Sequence, residues 1–187
     1  MGKSASGKDS LFRRLFETCG LGFKPLVTYT TRPIREGEKE GVEYHFTDIA
    51  GMRALEDKGL IIESRVYHTV HGDWYYFTAD DGSTDISSDN YLMVSTPEAY
   101  VKLRDYYGAE HVHPIYIEVE DGLRLSRALE RERMQKEPKY KELCRRFLAD
   151  SEDFSEERLK EAGIDKRFVN VDMDSCLKEI TEWILSR

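Results

Sequence analysis

Apolar residues recur at three- and four-residue intervals over residues 9–18, 48–58, 97–107, 121–134, 138–150 and 173–186, a spacing that predicts six amphipathic helices. Pro97 stands where a first helical turn tolerates proline. Between the helical runs lie short β-rich stretches at 25–28, 44–46, 60–64, 75–78, 91–95, 113–119 and 168–171. Strands alternating with helices predict an α/β fold in which a mainly parallel sheet is flanked by helices. Two segments break the alternation. Residues 32–78 carry several short strands and few helices, which predicts a small β-rich insertion. Residues 124–146 hold nine Lys or Arg against four Glu in an otherwise acidic chain. The turn-rich stretch 80–90, with Asp81-Gly82 inside it, reads as hairpin and loop.

A chain of 187 residues with 40% apolar content can bury one sizeable core. It is expected to form one domain over 1–187, with a core of 1–31, 79–123 and 147–187 around the insertion at 32–78 and the basic helical segment at 124–146. The balance of 28 Lys plus Arg against 36 Asp plus Glu weighs against nucleic-acid or anionic-membrane binding. Anionic ligands must therefore meet local basic clusters. Cys19, Cys144 and Cys176 are far apart and lack Cys-x-x-Cys spacing, which points away from disulfides and zinc and toward a reducing cytoplasm. No apolar run approaches the roughly 20 residues of a membrane span, and the N-terminus lacks the apolar core of a signal peptide. A soluble, cytoplasmic protein is expected. His68 and His71 have metal-ligand spacing but sit in a β-like stretch without an acidic partner, and are expected at a pocket edge or surface.

The chemistry begins at Gly2-Lys3-Ser4-Ala5-Ser6-Gly7-Lys8, which satisfies G-x-x-x-x-G-K and runs directly into a helical pattern carrying Leu11, Phe12, Leu15 and Phe16. Glycines let backbone N–H groups turn toward phosphate oxygens, the helix N-terminus adds positive potential, and Lys8 reaches the terminal phosphates. A Gly/Ser-rich disordered terminus is the plain alternative. The motif has Ser or Thr after the lysine; here Asp9 follows, so Mg²⁺ would be met by the Asp9 carboxylate, by Ser10 or through water. Asp9 could equally serve only as a first-turn carboxylate on the helix dipole. Such a loop ordinarily emerges from a buried strand; only Met1 precedes Gly2, so that strand is expected to be absent from this chain.

Arg32 and Arg35, three residues apart in a Gly/Pro-bounded loop, offer planar forks suited to a phosphate, with the Tyr44 hydroxyl nearby. Surface ion pairs with Glu36, Glu38 or Glu43 are the alternative reading. The whole run from Val27 to Phe46 resembles the monophosphate-binding segment of guanylate kinases, T-T-R-x-P-R-x-G-E-x-x-G-x-D-Y-x-F, with Pro33 and Ile34 inverted and Glu43 for Asp. In order and spacing the resemblance covers nearly the whole chain. It implies a P-loop nucleoside monophosphate kinase: Mg²⁺-dependent transfer of the ATP γ-phosphate to GMP, giving ADP and GDP.

The resemblance also assigns roles. Arg32, Arg35, Tyr44 and Tyr75 would hold the GMP phosphate, the last because Gly72-Asp73-Trp74-Tyr75 resembles the family's G-N-Y-Y. Glu63, closing Leu60-Ile61-Ile62-Glu63, would accept hydrogen bonds from the guanine edge, with Thr28 toward O6. Gly2, Ser4, Ser6, Gly7, Lys8, Asp9 and Ser10 would bind ATP, and Asn170, in a match to D-x-x-I-x-N, would lie near the adenine. Arg127 and Arg131 resemble the R-L-x-x-R of the family's mobile helical lid, and Arg146 its returning R-L, which makes 124–146 the lid and these three arginines, with Lys8, the expected catalytic cations; a solvated helix pair laced with Glu–Arg contacts is the alternative. Tyr76 and Phe77 replace the family's Gly and Ser, and Val94 and Thr96 stand where it has aspartates. Gly7-Lys8-Asp9-Ser10-Leu11 also resembles ribose 1,5-bisphosphate phosphokinases, which makes a sugar-phosphate kinase one alternative and a catalytically silent binding module of the same family another.

Overall fold

The computed structural model describes residues 1–18, 20–69 and 72–187. Cys19 and His71 lie outside the described residues. The order of elements is α1 (Lys8–Thr18), β1 (Lys24–Pro25), β2 (Tyr29–Thr30), β3 (His45–Phe46), α2 (Ile49–Glu56), β4 (Ile61–Thr69), β5 (Gly72–Ala79), β6 (Tyr91–Leu92), α3 (Pro97–Tyr107), β7 (Tyr116–Glu118), α4 (Asp121–Arg133), α5 (Tyr140–Asp153), α6 (Glu156–Glu161), β8 (Arg167–Val169) and α7 (Met173–Leu185). The result is a mixed α/β architecture with parallel sheet elements. The chain forms two compact units, one of Met1–Leu21, Val94–Val101 and His113–Arg187, the other of Gly22–Met93 and Lys102–Val112.

In the first unit β7 and β8 pair in parallel, Tyr116 opposite Arg167 and Glu118 opposite Val169. Met1 lies along the free side of β7: its amine donates to the Ile115 carbonyl at 2.7 Å and its carbonyl accepts from the Ile117 N–H at 2.9 Å. That is the parallel ladder pattern, so the residue leading into the glycine loop is itself registered on the sheet. Helices α1 and α7 pack on each other, α7 packs on β8, and α4 packs on α5. Leu11 and Leu15, one helical turn apart, bury the inner face of α1, and Cys176, Leu177 and Ile180 do the same for α7. Side-chain caps set the helix starts: Glu120 accepts from the N–H groups of Gly122 and Leu123, and Asp172 from that of Ser175. Helix α6, which the apolar spacing does not predict, has six residues, too few for a periodic signal, and is capped by Ser155.

The second unit is built on a four-stranded sheet in the order β3-β2-β5-β4. Its main feature is the antiparallel β4–β5 pair, extending well beyond the 60–64 and 75–78 stretches expected to be strands and running to Thr69 opposite Gly72. The hairpin is therefore here and not in 80–90, where Asp85 holds turns by accepting from Ser87 and Ser88. Met52, Phe77 and Ala79 are buried together, with Tyr29, Leu55, Ile61 and Tyr75 packed against them. The single strand expected at 25–28 is two: β1, paired in parallel with β6, and β2, paired with β5.

Candidate functional site

In the first unit, the loop from Gly2 to Gly7 turns tightly into α1. A β-carbon at Gly2 would meet the Ile117 carbonyl oxygen and Ser6 Oγ at 2.8 Å, so only glycine fits there. Gly7 has φ of +83° and Ala5 of +61°; Ala5 is the one described non-glycine residue in the left-handed region. Ser6 is fully buried and its N–H donates to the Lys3 carbonyl at 3.2 Å. Lys8 opens α1 with Nζ 3.6 Å from the Asp9 carboxylate. The first N–H groups of α1 and its dipole thus face the loop, the arrangement that favours an anion. Ser10 is exposed on the same turn.

The other residues expected around ATP divide in two. Asn170, at the end of β8, is buried and donates from Nδ2 to the Ser6 carbonyl at 2.7 Å, so its side chain braces the loop. Arg127 donates to the Asn170 carbonyl at 3.1 Å and the Val171 carbonyl at 3.3 Å, which fastens the chain after β8. Arg131 and Arg146 line a cavity of about 50 Å³ together with Ser4, Glu132 and Phe147, and Arg146 donates to Ser4 Oγ at 3.1 Å. Arg124, which no sequence pattern singles out, lines the same cavity. It is 1% exposed, lies 4.0 Å over the Phe147 ring, and donates to Asp121, to Asp150 and to the Ser4 carbonyl. An arginine in an otherwise polar helix carries no sequence signal of burial.

The second unit gathers the residues expected to bind the acceptor. Cross-strand partners in an antiparallel pair share a face. One face of β4–β5 therefore presents Glu63 with Thr78, Arg65 with Tyr76, and Tyr67 with Trp74. Glu63 reaches that face through a bulge: the register steps two residues in β4, from Ile61 to Glu63, against one in β5. Its carboxylate is buried, Oε1 accepting from the Thr78 hydroxyl at 2.7 Å. Oε2 is 3.3 Å from Arg65 Nε, but the two are not aligned for a hydrogen bond.

Arg32 sits on the same face, 3% exposed, its guanidinium forked onto Glu38 at 2.9 and 3.0 Å, its Nε donating to Tyr76 Oη at 3.1 Å. The rings of Tyr44 and Phe46 flank it, 5.5 and 5.6 Å away. Of the ion-pair partners that the sequence leaves open for Arg32, Glu38 is the one present, its half-buried carboxylate set against the buried guanidinium. Its hydrogen bonds from Arg32 hold the Glu38 carboxyl below the ordinary range. Burial pushes the Tyr44 hydroxyl upward, so it stays protonated as a donor. Arg35 is exposed, with its backbone N–H on Glu38 at 2.8 Å. Thr28 enters through its carbonyl, which accepts from the His45 N–H.

The family model for guanylate kinase matches residues 1–186. The chain belongs to the guanylate kinase family. The guanylate kinase of Aromatoleum aromaticum is 51% identical over 72 residues, 38% of this chain and 33% of that protein. That of Legionella pneumophila (strain Lens) is 32% identical over 113 residues, 60% of this chain and 48% of that protein. The matches thus span a third to about half of the length of these relatives. The crystal structure of guanylate kinase from Anaplasma phagocytophilum superposes with a TM-score of 0.61 at 24% identity, covering 99% of this chain and 82% of that one, which shows the shared fold.

One tyrosine of the expected acceptor set lies apart from Arg32, Tyr44 and Glu63. Tyr75, expected beside the acceptor phosphate, is on the opposite face of β5, packed with Phe77 and Met52. Tyr76 takes the position next to Arg32 and Tyr44, its ring 5.5 Å from that of Tyr44. Strand alternation is the reason, since neighbours in β5 point to opposite sides. His68 is exposed and pairs with Asp73 at 2.7 Å. Among the described residues no cluster of His, Cys, Asp or Glu forms a metal cage.

Proposed function

We propose that this member of the guanylate kinase family transfers the γ-phosphate of ATP to GMP, giving ADP and GDP. The observation that carries the reading is Glu63: a buried carboxylate with one oxygen on Thr78 and the other making no hydrogen bond, on the face that also holds Arg32, Tyr44 and Tyr76. A carboxylate offers acceptors to the N1–H and 2-amino group of guanine, donors that adenine does not present on that edge. Arg35 carries the exposed charge for the acceptor phosphate, Arg32 and Tyr76 shape the loop around it, and Tyr44 donates a hydroxyl.

In the first unit the glycine loop and the start of α1 receive the ATP phosphates. Lys8, Arg131 and Arg146 supply positive charge, which phosphoryl transfer needs because charge spreads over the oxygens of the moving group. An oxygen of the acceptor phosphate attacks the γ-phosphorus in line as the bond to the β-phosphate oxygen breaks, with no covalent enzyme intermediate. The Asp9 carboxylate and Ser10 hydroxyl are hard oxygen donors at the first turn of α1, suited to Mg²⁺, which keeps most of its ligands as water and phosphate. Bound there with ATP, Mg²⁺ would neutralise phosphate charge. The free thiols of Cys144 and Cys176 support a cytoplasmic setting, and no helix among the described residues is long and apolar enough to cross a membrane.

A coupled ADP-release assay across GMP, AMP, CMP, UMP and ribose 1,5-bisphosphate tests the reading. GMP is expected to be turned over at least tenfold more efficiently than the others. Equal turnover of the monophosphates, or a preference for the sugar phosphate, overturns it.

A further inference from the structure

Ser4 is held by groups from outside its own loop at every polar atom it has. Its N–H donates to Asp150 Oδ2 at 2.7 Å, its carbonyl accepts from Arg124 Nη1 at 3.4 Å, and its hydroxyl accepts from Arg146 Nη2 at 3.1 Å. Arg124 joins these contacts into one unit. It donates to the same Asp150 oxygen at 3.3 Å, to Asp121 at 3.1 and 2.9 Å, and rests on Phe147. Lys3, on the other side of Ser4, reaches Asp121 at 3.4 Å. The residue after Ser4 is Ala5, at φ of +61°, where a β-carbon costs roughly 1–2 kcal/mol that a glycine would not. An alanine keeps such a conformation only where its surroundings over-determine it.

We propose that Arg124 and Asp150 are positioning residues, a clamp from α4 and α5 that holds Ser4 and the strained Ala5 in the phosphate-receiving conformation. The buried geometry explains why both are needed. Asp150 alone would place an uncompensated carboxylate on the loop, repelling phosphate; Arg124 neutralises it and at the same time satisfies the Ser4 carbonyl. Because α5 also carries Arg146, the clamp sets the distance between the loop and that cation. The proposal rests on the reading that this loop receives the phosphates of ATP.

The test uses the full chain and two readouts. Amide hydrogen exchange without ligand reports the clamp directly. Asp150→Ala is expected to speed exchange at Ser4 by at least about tenfold, whereas Asp150→Asn, which keeps an acceptor, gives an intermediate rate. Calorimetric titration reports the consequence: ATP affinity falls about tenfold in Asp150→Ala while GMP affinity is unchanged, and adding Ala5→Gly recovers most of the lost ATP affinity because glycine adopts the loop conformation without strain. A purely structural role in helix packing would not be rescued by a loop glycine. Unchanged exchange at Ser4, equal loss of ATP and GMP binding, or no recovery with Ala5→Gly overturns the proposal. If the intact chain binds no ATP, the functional reading falls, and the exchange rates still decide whether the clamp exists.

Discussion

Asn170 donates its side-chain N–H to the Ser6 carbonyl at 2.7 Å, and the same nitrogen is the atom with which a β-carbon at Gly7 would clash. The loop's last glycine and the end of β8 are therefore fitted to each other. Gly7→Ala adds both that clash and a left-handed φ, and is expected to destabilise the protein by about 2–3 kcal/mol and to abolish ATP binding. Asn170→Ala strips the buried Ser6 carbonyl of its partner, at about 1–3 kcal/mol. Since it also removes the atom in the way, Gly7→Ala should cost less in the Asn170→Ala background. A double-mutant cycle by urea denaturation measures that coupling.

The fork between Arg32 and Glu38 contributes to acid stability alongside other carboxylates held low in the folded state, such as Asp121 and Asp172. Glu38 is lowered in the folded state by the Arg32 hydrogen bonds, so its contribution is present above the unfolded carboxylate value, about 4.3, and is lost as pH falls through the lower folded value. Glu38→Gln should flatten the fall in thermal midpoint between about pH 5 and 3, measured by circular dichroism.

Tyr75 and Tyr76 are neighbours with opposite fates. Tyr76→Phe loses the hydrogen bond to Arg32 Nε, at about 1 kcal/mol, and is expected to raise KM for GMP several-fold. Tyr75→Phe should leave that KM unchanged, because its side chain packs with Phe77 and Met52. Initial-rate kinetics with ATP saturating separates the two.

Glu63→Gln replaces two acceptors with one and a donor. Its expected effect is a rise in KM for GMP of roughly 100-fold, with a smaller rise for IMP, which lacks the 2-amino group. Steady-state kinetics on both nucleotides checks it, and kcat should change less than KM.

By itself the sequence determined the kind of fold and the place of its glycine loop. The spacing of Leu11 and Leu15, the alternation of strands with helices, and the glycine loop running into α1 are local patterns, and local patterns survive in a single sequence. The same holds for the family, because the run from Val27 to Phe46 is long and irregular. What only tertiary structure decided is which way side chains face and what they meet. The bulge between Ile61 and Glu63 puts Glu63 beside Thr78, and strand alternation gives the place near Arg32 to Tyr76 instead of Tyr75. Asn170, expected near adenine, braces Ser6, and Arg127, expected at the transferred phosphate, holds the carbonyls of Asn170 and Val171. Arg124 and Asp150 meet Ser4 across more than a hundred residues of chain. Such contacts depend on a register shift or on two distant segments being brought to hydrogen-bond distance, and neither leaves a periodicity in the chain from which it could be read.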